Sequence, residues 1–197
     1  MKVDVVPHDP AWKAAFERHR EVIAAALRNA QPSIDHIGST ALASIAAKPV
    51  IDILVGLSVA SQLDETVGPL LDAGYAYVEQ FTPGMPYRRF FAKLRPLTGR
   101  PLPRVLAVNE SLSFGRDYQS VAHVHVMVRD SEHWLRHVAF RDYLMAHPEV
   151  RAAYEALKLK IAEIDFGDPL EYNAHKDAFI AEYQAKALVW YTKRRRP

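Results

Sequence analysis

Residues 50–55 read Val-Ile-Asp-Ile-Leu-Val, an apolar run of strand length broken by one acid. A strand that is apolar at successive positions is buried on both faces. The chain must therefore supply neighbouring strands and covering layers on two sides. A carboxylate inside such a run is costly unless something pairs with it. Asp52 thus poses both a folding question and a functional one.

The flanking sequence supplies the covering layers. Asp9 and Pro10 mark a helix start, and Trp12, Phe16, His19, Ile23, Ala26 and Leu27 recur at helical spacing, predicting an amphipathic helix over 10–29. Residues 3–6 suit a short strand, 34–37 a second, and the alanine-rich stretch 41–47 a short helix ended by Lys48-Pro49. The strand over 50–57 is followed by a helix over 61–71, with Gly74 as its stop. Strands are expected over 75–81, 87–93, 104–108 and 121–128, with a loop over 94–102 and no clear assignment for 111–119. From Ser131 the pattern turns helical, over 131–146, 148–164 and 169–191, with Asp168 as cap and Pro169 as first residue of the last helix.

These elements give an α/β (α+β) chain: a mixed β-sheet core over about 1–130, a three-helix segment over about 131–192 packed on it, and a basic tail at 193–197. A length of 197 residues suits one such domain. The formal charge of +2 is too small to indicate nucleic acid binding, and Lys193-Arg194-Arg195-Arg196 reads as a solvated tail. Cysteine is absent, which removes disulfide frameworks and thiolate metal sites and fits a reducing compartment. The first residues are too acidic and too short for a signal peptide, and no run approaches the roughly 20 apolar residues of a membrane span. The expectation is a soluble cytoplasmic protein with no membrane partner. The apolar helix stripes leave a homodimer open.

The chemistry gathers around Gly38-Ser39-Thr40. A strand, a Gly-Ser turn and a helix start would together present backbone N–H groups and a favourable dipole to an anion. Glycine would let a phosphate approach the backbone, and the Ser39 and Thr40 hydroxyls would add donors. Asp52 on the adjacent strand puts a carboxylate beside that cradle, the minimum for a divalent cation bridging to a nucleotide. His123 and His125 are two apart on a strand and share a face. If that face is also Asp52's, two imidazoles and a carboxylate would suit a transition metal; otherwise they are hydrogen-bonded structural histidines. His36 could join them. Lys48 could neutralise Asp52 or be a loop charge. Of Arg88 and Arg89, one points to each face of its strand, and Arg89 is taken as the candidate phosphate contact. Lys158 and Lys176 are helical cations within reach of a triphosphate, or solvated stripes, each four residues from a tyrosine, Tyr154 and Tyr172.

The stretch "HIGSTALASIAAKPVIDILV" at 36–55 resembles the GrpB family, a group within the nucleotidyltransferase superfamily of the DNA polymerase β type. "HVHV", "FRDYLMAHPEV", "YEALK" and "EYNAHK" follow in the same order, and the likeness runs from Pro7 to Ile180. The resemblance implies a mixed sheet flanked by helices. It also implies a nucleotide triphosphate held at Gly38 and Ser39, a divalent metal (Mg, Mn or Zn) on Asp52, and transfer of a nucleotidyl group to an unknown acceptor. Asp52 and Ser39 would be the catalytic residues, with His123 and His125 completing the metal site.

One residue departs from that pattern. Active nucleotidyltransferases generally carry a second acid two residues after the first, and this chain has Leu54 there. A single carboxylate compensates Mg²⁺ poorly, so two-metal transfer competes with a non-catalytic nucleotide- or coenzyme A-related binding role. The family's segment is also found appended to dephospho-CoA kinase, although this chain has no P-loop and cannot be the kinase. A histidine-triad hydrolase is set aside because Met127 stands where the third histidine would fall.

Overall fold

The computed structural model describes residues 3–109, 114–165 and 169–195, the side chains of 169–173 excepted. Its elements are α1 (Ala11–Ala26), β1 (Ser33–Ile37), β2 (Ile51–Leu57), α2 (Gln62–Glu65), α3 (Val67–Asp72), β3 (Ala76–Tyr77), β4 (Arg88–Pro96), β5 (Tyr118–Val128), α4 (Glu132–Ala146), α5 (Pro148–Ala162) and α6 (Pro169–Arg195). The strands form one mixed sheet in the order β1-β2-β5-β4-β3, with β2 and β5 parallel and the other pairs antiparallel. The architecture is α+β, as the patterning predicts.

The apolar run at 50–55 becomes the strand it has to be. β2 lies inside the sheet between β1 and β5, and Ile53, Leu54, Val55 and Leu57 are all 0% exposed. Burying side chains of this size stabilises by about 1.5–3 kcal/mol each. The period of two divides the strand. Ile51, Ile53, Val55 and Leu57 join Trp12, Phe16 and Ile23 of α1 and Leu63 and Leu70 of α2 and α3 in one core. Leu54 faces the other way, into a cluster with Ile37, Met127 and the α4 residues Trp134 and Val138. Helices therefore cover both faces, with α4 to α6 on the Asp52 side.

Local chemistry sets the ends of several elements. The Asp9 carboxylate accepts from the Ala11 N–H at 2.8 Å at the start of α1. The Ser131 hydroxyl caps α4 by accepting from the Trp134 N–H, and Pro148 opens α5.

Several expectations fail in instructive ways. The helix over 41–47 is a single 3₁₀ turn, Ser39–Ala41, followed by irregular chain in which Ser44 takes φ 67°. Alanine favours helix intrinsically, but this segment is held from outside. Glu155 and Lys158 of α5 seize the N–H and the carbonyl of Ala46, both at 2.5 Å. Residues 3–6 contribute one bridge, Val6 to Ala47, rather than a strand. The strand over 104–108 is likewise one bridge, Tyr77 to Val105, and that over 75–81 shrinks to β3 before a 3₁₀ turn. Proline 69 divides the helix over 61–71 into α2 and α3. β4 continues to Pro96, into the expected loop, and β5 begins at Tyr118. The tail expected to be solvated is indeed exposed over 193–195, and it is helical through Arg195, whose guanidinium lies 3.3 Å from the Asp130 carboxylate. The Asp168 cap lies outside the described residues.

Candidate functional site

Register brings the sequence candidates together. Asp52 is the second residue of β2, level with Ile37 on β1 and His123 on β5. β1 ends there and the chain turns through Gly38, so the carboxylate emerges at the open corner of the sheet. That answers how an acid survives in an apolar strand: its side chain stays 30% exposed, while Leu54, one step further in, is sealed.

Gly38 makes the corner possible. It adopts φ 69°, a conformation that favours glycine, and a Cβ there would collide with the Asp52 carboxylate. On the other side, the Asp52 Oδ1 lies 3.2 Å from His123 Nδ1. With the carboxylate accepting from Nδ1–H, His123 keeps Nε2 as a free acceptor.

The surrounding groups are mostly basic. Asp52 acts electrostatically on His36, Lys48, His137, Tyr154 and Lys176 at once, opposing the loss of positive charge on the four basic ones. Burial is the main cause that lowers Lys176 to about 8, with Lys48 adding to it. Tyr154, buried in α5 and stacked on Phe179, is pushed up to about 12 by burial and hydrogen-bonds the Ser39 side chain.

Other candidates are committed elsewhere. Thr40 is 4% exposed. Its hydroxyl donates to the Val50 carbonyl at 3.3 Å and accepts from His36 Nε2 at 3.0 Å. It braces the turn rather than facing a ligand. His36 stacks on Phe16 with centroids 4.6 Å apart, and burial lowers it to about 4. Lys158 is 2% exposed and is spent on the Ala46 carbonyl. Because Ser39–Ala41 is one 3₁₀ turn, no helix dipole supports the cradle.

The metal set is not assembled. His125 shares the face of Asp52 and His123, but its Nδ1 lies 3.3 Å from an Arg88 guanidinium nitrogen, which can only donate. A cation at that ring nitrogen opposes a metal ion there. Among the described residues no three His, Asp or Glu side chains converge to hold a metal, and the position of a second acid belongs to an apolar cluster through Leu54.

Arg89 is on the wrong face. It pairs with Asp64 of α2 at 2.6 Å and donates to the Pro86 carbonyl. Arg88, its neighbour, takes the Asp52 face, because Arg88, Phe90 and Ala92 align with Met127, His125 and His123. His133, Arg136 and His137 of α4 were not among the residues the sequence singled out. Their i, i+3, i+4 spacing puts them on one helix face, and that was their signal.

No helix among the described residues is long and apolar enough to cross a membrane. The chain is similar to a glutamate-rich protein GrpB of Alkalihalophilus pseudofirmus, 29% identical over 92% of this chain and 93% of that one. It is 32% identical to a dephospho-CoA kinase of Mycolicibacterium paratuberculosis, over 95% of this chain and 46% of the kinase. A crystal structure of the conserved protein GrpB from Enterococcus faecalis superposes with a TM-score of 0.75, at 29% identity, over 95% of this chain and 99% of that one. The family described as GrpB protein matches residues 2–186, and the chain belongs to it.

Proposed function

We propose that this protein binds a phosphate-bearing small molecule, a nucleoside polyphosphate or a coenzyme A-type nucleotide, in the corner between Gly38 and the Asp52–His123 pair. It does so without two-metal transfer. One observation carries this reading: the Asp52 carboxylate stands among Lys48, Lys176, His123 and His137, while the second acid's place is a buried leucine. Such a site is short of negative charge for metals, and Lys48 and Lys176 supply positive charge for an anion. Asp52 then fixes the His123 ring and balances the lysines until the ligand arrives. The likeness to part of a dephospho-CoA kinase supports the coenzyme class.

A second reading is nucleotidyl transfer from an NTP to an acceptor, with a divalent metal on Asp52. The carboxylate's contact with the Gly38 backbone favours it, because metal and phosphate would then be adjacent.

Asp52→Asn separates the two. Calorimetric titration with ATP, CoA and dephospho-CoA, with and without Mg²⁺, Mn²⁺ or Zn²⁺, is the measurement. Direct anion binding predicts metal-independent affinity that is unchanged or tighter in Asp52→Asn and at least 10-fold weaker in Lys176→Met. Transfer predicts metal-dependent binding lost in Asp52→Asn, with pyrophosphate released by the wild type. A wild type that binds none of the three ligands sinks both.

A further inference from the structure

The face that carries Asp52 and His123 continues along β5 to His125, about 6–7 Å further on. There the cationic groups outnumber anything the corner needs. Arg88 of β4 lies 3.3 Å from His125 Nδ1 and stands over the Phe90 ring at 5.0 Å. The His137 ring of α4 is 5.4 Å from that of His125, and His133 stacks on Tyr87 at 3.4 Å. Arg136, between the two α4 histidines, acts on both Arg88 and His137.

Among the described residues no carboxylate pairs with Arg88 or Arg136. The Arg136 Nε is buried and has no hydrogen-bond partner. A purely structural role accounts for Arg88 in part, since its guanidinium covers Phe90 and Phe81. It does not account for Arg136, whose buried Nε–H donor finds no acceptor among the described residues. The half-buried Arg136 and Arg88 also repel each other electrostatically. An anion entering between them removes both penalties.

The imidazoles suit the same purpose. His125 accepts from Arg88 through Nδ1, so its neutral ring keeps Nε2–H as a donor. Burial holds both His125 and His137 well below the usual imidazole range, His137 at about 4, so they are neutral donors rather than extra charge.

We infer that Arg88, Arg136, His125 and His137 form a second anion subsite, which takes the distal phosphate of a ligand whose first phosphate lies at the Gly38–Asp52 corner. The spacing of the two stations along β5 matches a run of linked phosphates, so the preferred ligand class is a polyphosphate chain rather than a phosphate monoester. For the first phosphate the inference rests on the function proposed above; the distal subsite has its own residues and can be tested apart from it.

The probes are orthophosphate, pyrophosphate and tripolyphosphate, titrated calorimetrically into the full chain at fixed ionic strength. Tripolyphosphate is expected to bind at least 10-fold more tightly than orthophosphate. Arg88→Gln and Arg136→Met should each erase that preference while leaving orthophosphate affinity within about 2-fold. Arg104→Gln, a change at an exposed pair with Asp72, controls for net charge. Arg136→Met removes the unpaired donor, so it should melt at the wild-type temperature or above without ligand. That outcome separates a binding arginine from a structural one, and Arg88→Met substitutes for Arg88→Gln if the latter does not fold.

A tripolyphosphate preference unchanged in Arg88→Gln and Arg136→Met overturns the subsite and leaves the corner intact. A preference lost in these variants but untouched by Lys176→Met upholds the subsite and overturns the corner. No binding of any probe to the wild type overturns both.

Discussion

Asp52 lies so close to Gly38 that a methyl group on the glycine would stand 2.9 Å from the Asp52 Cβ and nearer still to Oδ2. Asp52 belongs to β2 and Gly38 directly follows β1, so the two meet where β1 gives way to the turn. Each sets the other's position: the turn exists because no side chain intervenes, and the carboxylate is aimed because the turn passes beneath it. His123, 3.2 Å from Oδ1, completes the orientation.

Gly38→Ala should therefore displace the carboxylate as well as strain the turn. The left-handed φ and the forced contact together are expected to cost about 2–4 kcal/mol, read as a drop in melting temperature. Ligand affinity should fall by more than that destabilisation implies, because the Asp52–His123 pair is no longer aligned. A folded variant with native affinity would show that the close approach is incidental.

Leu54→Asp tests whether the missing second acid can be supplied. Leu54 is 0% exposed and packs with Ile37, Met127, Trp134 and Val138. A carboxylate there is a buried charge without a partner, expected to destabilise by at least about 3 kcal/mol. Mg²⁺ should not recover the loss. If the variant is instead stable and Mg²⁺ raises its melting temperature, the pocket admits a metal and the transfer reading gains.

Lys158→Met addresses the loop that forms the far wall of the corner. Lys158 and Glu155 hold Ala46 by its carbonyl and its N–H. Methionine preserves the packing and deletes one hydrogen bond, leaving a buried carbonyl unmade at about 1–3 kcal/mol. Hydrogen exchange should rise first in residues 42–48. Equal exchange in variant and wild type would mean that the loop is held by its apolar contacts through Leu42 and Ile45.

These residues also mark what could be read in advance. β2 was legible because a nearly continuous apolar run has few alternatives, β5 because valines alternate with its two histidines, and α4 and α5 because Ser131 and Pro148 announce their starts. Gly38 and Asp52 were legible together because they are close in sequence, whereas His123, 71 residues from Asp52, was visible only as half of a His-x-His pair until the pairing of β2 with β5 brought it alongside. The loop over 42–48 was not, because its alanines favour helix and the groups that override them lie more than 100 residues away. The exchange of Arg89 for Arg88 has a similar origin. Alternation says that one arginine faces each side, but only pairing with β5 decides which. His133, Arg136 and His137 shared a visible helix face, yet nothing local says which face of α4 meets the sheet.

The buried imidazoles predict the acid response. His36 and His137 both sit at about 4, chiefly through burial, against 6.5 in an ordinary setting. Between those values the unfolded chain binds more protons than the folded one, so stability falls as pH drops through that window and is fully present above it. Asp52 opposes the shift in both, while the arginines reinforce it: Arg141 beside His36, and Arg136 and Arg88 beside His137. Each group is expected to contribute on the order of 2 kcal/mol across the window. Melting temperature should therefore decline between pH 6.5 and 5, before most carboxylates titrate, and His137→Phe should flatten that decline in part, because burial lowers His125 and His19 as well. A wild-type profile level over this range would mean that both rings take up protons in the folded state, and that the α4 face is far wetter than its packing indicates.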